Sequence, residues 1–501
     1  DKNIPYRIER ELKGSELLHI KYEQLWTEAP LPLTNPENAF RIIAGDFVTT
    51  EDGTGIVHTS PTFGADDAKV AKEASPEVPP LLVLDENGNT VPLVDLRGRF
   101  RKEVGLLGGR FVKNEYYPEG EVPERSTDVE IAIQLKEENR AFKVEKYVHS
   151  YPNCWRTDKP ILYYPLDSWF IKVTEVRDQM VSLNKEINWK PKSTGEGRFG
   201  NWLSNANDWN LSRSRFWGIP LPVWRTEDGQ ETKVIGSIAE LKEAIAVSVS
   251  KGLMDKNPFA DFIEGDFSDK NYNLVDLHKN IVDALVLSSS NGQPMRRESD
   301  LIDVWFDSGS MPYAQWHYPF ENKEKIDAGE SFPADYIAEG VDQTRGWFYT
   351  MHAIGTLVFG KKAYKNVISN GLVLDKAGQK MSKRLGNSVD PFKTLDQFGA
   401  DAIRWYMISN TNPWDNLKFD TEGVSEVQRK FFGTLYNTYS FFSLYANIDA
   451  FNPKKEVTIP LKKRAELDLW ILSELHSLIQ EVDAAYEDYE PTKAARFISD
   501  F

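Results

Sequence analysis

Lys380-Met381-Ser382-Lys383-Arg384 puts three cations into five residues, between Gly378 and Gly386 and just ahead of Asn387-Ser388. A hinge-bounded loop of this charge can close over a triphosphate and neutralise charge as it builds on a leaving pyrophosphate. The same run also suits a solvated surface turn, but its position after two strands and before a capped helix favours a ligand loop. Upstream, Glu339-Gly340-Val341-Asp342-Gln343 lies where a strand ends and a helix begins, the crevice in which open parallel sheets bind ligands. Gly340 lets the backbone approach a ligand, and Glu339 and Asp342 can accept hydrogen bonds from ribose hydroxyls or an ammonium group. Asp342 serves equally well as a helix N-cap. Trp347, and Trp305 within Asp303-Val-Trp-Phe-Asp307, are apolar walls for a small side chain if they face that crevice, and ordinary core otherwise.

Nearer the start, Gly53-Thr-Gly-Ile-Val-His58 reads as a hairpin arm, and Pro61-Thr-Phe-Gly64-Ala-Asp66-Asp67 turns into a helix. Paired carboxylates at a helix start serve as cap and dipole partners; beside His58, Asp67 could instead hold a substrate ammonium group. Cys154, in Tyr151-Pro-Asn-Cys-Trp-Arg156, reads as a packed thiol, with nothing nearby in sequence to lower its pKa.

The elements that must position these residues follow from periodicity and turn chemistry. Residues 1–140 alternate short β-rich runs with turns and predict a β-rich domain. Aromatic-rich residues 141–225 and the strand-turn-helix grammar of 300–385 predict two parts of one α/β domain, with a more charged insertion at 226–299. Within it, a helix is expected near 342–359, with Phe348, Met351, Gly355 and Val358 on one face. Asp390-Pro391 marks a helix start, inside a connecting segment of 386–423. From Val424 onward the pattern is helical, the start of a bundle.

The chain has 501 residues, a prior of roughly three domains. Its net charge of −16 excludes a general nucleic-acid coat, so any such contact must use local basic patches. One cysteine excludes an intrachain disulfide and a Cys-based zinc cluster, and makes the reduced cytoplasm the expected compartment. The longest apolar runs, such as Leu81 to Leu84, fall far short of the roughly 18 residues that span a bilayer, so no membrane partner is expected. The chain opens without an initiator Met and closes inside a helical pattern, as a piece of a longer protein would.

Together these stretches resemble the isoleucyl-tRNA synthetases, class I aminoacyl-tRNA ligases, over nearly the whole chain. Lys380 to Arg384 resembles the second signature of that class. Asp303-Val-Trp-Phe-Asp-Ser-Gly-Ser310 and Glu339-Gly-Val-Asp-Gln-Thr-Arg-Gly-Trp-Phe348 resemble isoleucine-specific blocks. Asn210-Leu-Ser-Arg-Ser-Arg-Phe-Trp-Gly218 resembles a block shared by the isoleucine, valine and leucine enzymes, and Gly53 to Asp67 resembles their hydrolytic editing domain.

The resemblance implies a Rossmann-like parallel-sheet catalytic domain, preceded by a β-rich editing domain and followed by the start of an α-helical anticodon-binding domain. It implies catalytic roles for Lys380 and Lys383, with Met381, Ser382 and Lys383 binding ATP. Glu339, Gly340, Asp342 and Gln343 would bind the adenylate, and Trp305 and Trp347 the isoleucine side chain. Asp67, His58 and Thr54 would serve editing of mischarged valyl-tRNA. Isoleucine, ATP and tRNA(Ile) are the implied partners, Mg²⁺ accompanies ATP, no zinc ligand set is expected here, and the protein should be a monomer. None of the seven histidines begins a His-x-Gly-His sequence, so the first class signature is absent and the chain alone should not aminoacylate. The alternatives are a valine or leucine enzyme, or a non-catalytic tRNA-binding or editing module.

Overall fold

The computed structural model describes residues 5–501, apart from 52–53, 383–384 and 456–457. The chain divides into two compact units, Asp1–Asp167 and Ser168–Phe501.

The first unit contains the helices Ala65–Glu73 and Thr127–Glu137 and one antiparallel hairpin, Leu82–Leu84 with Thr90–Pro92. Isolated bridges pair Lys21 with Arg41, Val94 with Phe100 and Arg99 with Phe111. Regular strand is thus sparser than the run pattern of 1–140 predicts, because frequent Pro and Gly break the ladders into single bridges. A small core of Val83, Leu93, Val104 and Leu107 holds the hairpin. The unit also extends past the boundary expected at residue 140. Tyr116 donates its hydroxyl to the Pro160 carbonyl and Tyr164 to the Val94 carbonyl, each at 2.8 Å, which ties the aromatic-rich segment back onto this unit.

In the second unit a parallel sheet has Tyr364–Asn370 at its centre, flanked by Ala334–Gly340 and Asn188–Lys190. The helix Trp347–Phe359 makes the crossover between the two longer strands, as parallel pairing requires. Every residue from Phe348 to Thr356 is buried, so this helix is apolar all round rather than on one stripe. Val358, expected on the inner face, is 60% exposed at the solvent end. The helix Val304–Gly309 packs against it; a Cβ on Gly309 would meet Ile354 at 2.9 Å and Thr350 at 3.1 Å, so only glycine permits that approach.

The insertion is a module with its own core. Strands Val223–Thr226, Thr232–Val234, Val286–Ser288 and Pro294–Arg297 form an antiparallel sheet, covered by the helix Ile238–Ser250. Ser237 caps that helix through Glu240 N–H at 3.1 Å, and Glu240 returns a bond to Gly236 N–H at 2.8 Å. Trp224, Leu241, Ile245, Leu287 and Met295 fill the space between.

Beyond the sheet, Val373–Leu374 pairs in parallel with Leu417–Lys418, and helices occupy most of the remainder. Asp390 caps the Pro391–Phe398 helix as its sequence predicts, accepting from Phe392 and Lys393 N–H. The final helix, Pro491–Asp500, is held by Arg496, which donates to the Ser409 and Asn410 carbonyls.

Candidate functional site

The two segments singled out in the sequence rise from neighbouring strand ends. Glu339 and Gly340 are the last residues of one parallel strand, opposite Ser369 and Asn370 at the end of the next. Asn370 leads through Gly371 into the short strand Val373–Leu374, and Leu374 then bridges Lys380. A Cβ on Gly371 would collide with the Asp415 carbonyl, so glycine lets the chain turn there. The acidic rim therefore starts at the carboxyl end of one parallel strand, while the cationic loop follows the next strand by way of Gly371 and Val373–Leu374, which pairs with Leu417–Lys418 in a separate sheet.

Hydrogen bonds hold the described part of the loop. Asp375 accepts from Gln379 N–H at 2.7 Å, and that bond with the Asn387 amide holds its carboxyl below the usual range. Asn387 is the staple: it donates to Asp375 at 2.8 Å and to the Lys380 carbonyl at 3.2 Å, and accepts from Ser382 N–H at 2.9 Å. Met381 packs on the core of Tyr406, Leu417 and Phe419. Lys376 is paired with Asp420 and Glu422, whereas Lys380 is exposed and forms no ion pair among the described residues. Lys383 and Arg384 lie outside the described residues.

On the rim, Glu339 and Asp342 are exposed, and Gly340 and Gln343 are half-buried. The residues Val341–Arg345 form a 3-10 turn, with Gly346 separating it from the crossover helix. Asp342 makes no cap; Gln343 does, its Oε1 accepting the Trp347 N–H at 2.9 Å. The carboxylate reading therefore gives way to an amide one residue later, because the break at Gly346 moves the helix start downstream. The Trp305 ring lies beside Gly346, the residue before Trp347. A Cβ on Gly346 would meet the Trp305 ring at 3.2 Å and Gln343 Oε1 at 2.5 Å, and Trp347 Nε1 donates to the Ser308 carbonyl at 2.9 Å.

Behind Trp305 stands Asp303, whose side chain is almost fully buried. It caps its helix through Trp305 N–H at 3.2 Å, accepts from Trp209 Nε1 at 3.0 Å, and pairs with Arg213 at 2.6 Å. Burial, together with the Asp303 charge, raises the Asp307 pKa. Arg213 stands inside the 210–218 block and Trp209 just before it, but the pairing with Asp303 spans 90 residues and no local spacing signals it.

In the first unit Asp67 accepts from Ser60 N–H at 3.2 Å and lies over Gly64, whose Cβ it would overlap. Thr54 closes a local turn with Ile56 N–H, and His58 is exposed. No hydrogen bond joins Asp67, His58 and Thr54 among the described residues, and Gly53 lies outside them. Cys154 departs from its expectation. The Thr157 hydroxyl, the backbone of Arg156 and Thr157, and the Arg156 charge hold its thiol below the ordinary value.

A family model described as class I tRNA synthetases (I, L, M and V) matches residues 118–420. The isoleucine-tRNA ligase of Bacteroides fragilis is 59% identical over 520 residues, covering 100% of this chain and 45% of that protein. The isoleucine-tRNA ligase of Clostridium tetani is 44% identical over 498 residues, covering 99% of this chain and 43% of that one. The chain thus spans less than half the length of these curated relatives. A Mycobacterium tuberculosis methionyl-tRNA synthetase structure with methionyl-adenylate is similar over 71% of this chain and 54% of that one, at 16% identity and a TM-score of 0.45. With its parallel sheet and its crossover helix inside the matched stretch, the chain belongs to the class I tRNA synthetases for isoleucine, leucine, methionine and valine.

Proposed function

We propose that this chain is part of an isoleucine-tRNA ligase, which activates isoleucine with ATP and transfers it to tRNA(Ile). The observation that carries the reading is that the Glu339 rim ends one parallel strand and the Lys380 loop follows its neighbour in the chain, through Gly371 and Val373–Leu374. The identity of 59% to an isoleucine-tRNA ligase along the full chain supports the choice of amino acid over valine or leucine.

In the first step the isoleucine carboxylate attacks the α-phosphorus of ATP, the bond to the bridging oxygen breaks, and pyrophosphate leaves with that electron pair. No side chain is covalently modified; positioning and charge stabilisation supply the rate. Lys380 and Lys383 act on charge developing on the pyrophosphate, and Met381 and Ser382 hold the loop against ATP. Glu339, Gly340, Asp342 and Gln343 hold the adenylate, with Trp305 and Trp347 walling the side chain. In the second step a ribose hydroxyl at the tRNA end attacks the acyl carbon and AMP leaves. Mg²⁺ enters as the companion of ATP, and among the described residues no three His, Cys, Asp or Glu side chains gather into a metal cage.

A single methylene separates isoleucine from valine, the discrimination problem for which isoleucyl enzymes are the standard illustration. Asp67 would hold the ammonium of a mischarged valyl group, with His58 and Thr54 near the tRNA end, in a first unit devoted to hydrolysis. No described helix is long and apolar enough to cross a membrane; a monomer in the cytoplasm is the setting proposed. Isoleucine-dependent exchange of pyrophosphate into ATP by the intact protein tests the reading. Exchange with isoleucine faster than with valine supports it, and the reverse order overturns it.

A further inference from the structure

The rim segment Val341–Arg345 is gripped from outside by a stretch of chain nearly 150 residues upstream. Residues Thr194–Phe199 form a π-helical turn that runs directly into the α-helix Gly200–Ser204. Such turns are rare and frequently stand at functional sites. This one is built in firmly. Gly195 is pressed against the Trp189 indole so closely that a Cβ would overlap it, Asn184 donates to the Gly195 carbonyl at 3.0 Å, and Phe199 is fully buried. From this base Arg198 Nε donates to Thr344 Oγ1 at 2.9 Å, and that hydroxyl passes its own hydrogen to the Val341 carbonyl at 2.7 Å. Four residues on, Trp202 lies under the Arg345 guanidinium, 5.0 Å from ring centroid to Cζ. Arg198 and Trp202 thus hold two consecutive residues of the rim, Thr344 and Arg345. Thr344 is fully buried and the rim turn ends at Gly346, so the grip falls where the turn would otherwise pivot.

We propose that Arg198 and Trp202 form a two-point clamp that positions Asp342 and Gln343 for the adenylate without touching it. Both are positioning residues, and the inference rests on the reading of Val341–Arg345 as part of the adenylate site. With the clamp open, the turn samples other conformations and binding carries the cost of ordering it, so ground-state affinity suffers before the chemical step does.

Two measurements on the full-length protein decide this separately from the function. Hydrogen exchange of peptides covering 341–347, without any ligand, reads the clamp alone. Arg198→Ala and Trp202→Ala should each speed exchange there by roughly fivefold, in line with the loss of one hydrogen bond or cation–π contact. Trp202 also packs edge-on against Tyr349, so the control is the helix beyond it: peptides covering 351–356 should keep their protection, which a general loss of folding would not allow. Arg198→Lys retains a donor and Trp202→Phe retains a ring, so both should recover most of the protection. Isoleucine-dependent pyrophosphate exchange then reads the consequence: KM for isoleucine should rise about fivefold in the alanine variants while kcat falls by less than twofold. Unchanged exchange at 341–347, or equal loss across 351–356, overturns the clamp. Faster hydrogen exchange with an unaltered KM overturns its link to the adenylate, and a wild-type protein that activates valine faster than isoleucine overturns the function while the clamp stands.

Discussion

Trp347 donates its indole hydrogen to the carbonyl of Ser308 at 2.9 Å, which locks the start of the crossover helix to the end of the Val304–Gly309 helix. This bond fixes one tryptophan of the proposed side-chain pocket, and the neighbouring Gly346 leaves room for the other, Trp305. The pocket wall is therefore a product of helix packing, and it changes when that packing does.

Gly346→Ala tests the wall. A Cβ there would meet Gln343 Oε1 at 2.5 Å and the Trp305 ring at 3.2 Å, so alanine pushes on both. KM for isoleucine in pyrophosphate exchange should rise about tenfold, equal to roughly 1.4 kcal/mol. A KM within twofold of the parent contradicts the arrangement.

The Asp303–Arg213 pair should be a stability element first. Removing Arg213 leaves a buried carboxylate with only the Trp209 indole and a backbone N–H to meet it. Asp303 is buried but Arg213 is a third exposed, so Arg213→Ala should lower the unfolding free energy by about 2 kcal/mol, on the scale of leaving a buried acceptor short of a partner. Urea titration measures it, and a loss below about 1 kcal/mol contradicts the account.

His352 gives the fold a pH dependence. It is fully buried; Nε2 donates to the Met180 carbonyl at 2.9 Å, and Nδ1 has no hydrogen-bond partner among the described residues. Burial pushes its pKa from 6.5 down to about 4. The unfolded chain takes up that proton near pH 6.5 and the folded one only near pH 4, so the stability is complete above 6.5. It is lost as pH falls through that window, by about 3 kcal/mol. Urea midpoints should fall accordingly, and His352→Gln, with no titrating ring, should flatten the slope. Equal slopes in parent and variant contradict this assignment.

How much of this could be read from residues alone depends on the reach of each interaction. The cap at Asp390 acts over two or three residues, so its side chain announces the helix it starts. The strand-helix-strand order around Trp347–Phe359 was equally legible, since buried parallel strands and their crossover have a distinctive pattern. Tertiary partners were not. The Asn387 staple returns to Asp375 across 12 residues, Arg213 meets Asp303 across 90, and Arg198 meets Thr344 across 146. Asp342 looked like a cap because its spacing suits one; the break at Gly346 handed that role to Gln343. Cys154 is the exception among short-range contacts: Arg156 and Thr157 stand two and three residues on, but their effect on the thiol depends on how the loop turns them towards it.

Lys383 carries the proposed charge stabilisation. Lys383→Ala in the intact protein should slow adenylate formation a hundredfold or more, on the scale of losing one preorganised electrostatic contact, while isoleucine affinity changes little. Single-turnover kinetics separates the two, and an unaltered rate of adenylate formation removes the role.

The account stands on the cationic loop and the acidic rim serving one nucleotide. A structure of the intact protein with a non-hydrolysable isoleucyl-adenylate analogue measures this directly: Glu339 should meet the adenylate while the Lys380–Lys383 loop closes over its phosphate side. An analogue bound against Glu339 with that loop on a different face, or bound elsewhere altogether, contradicts it.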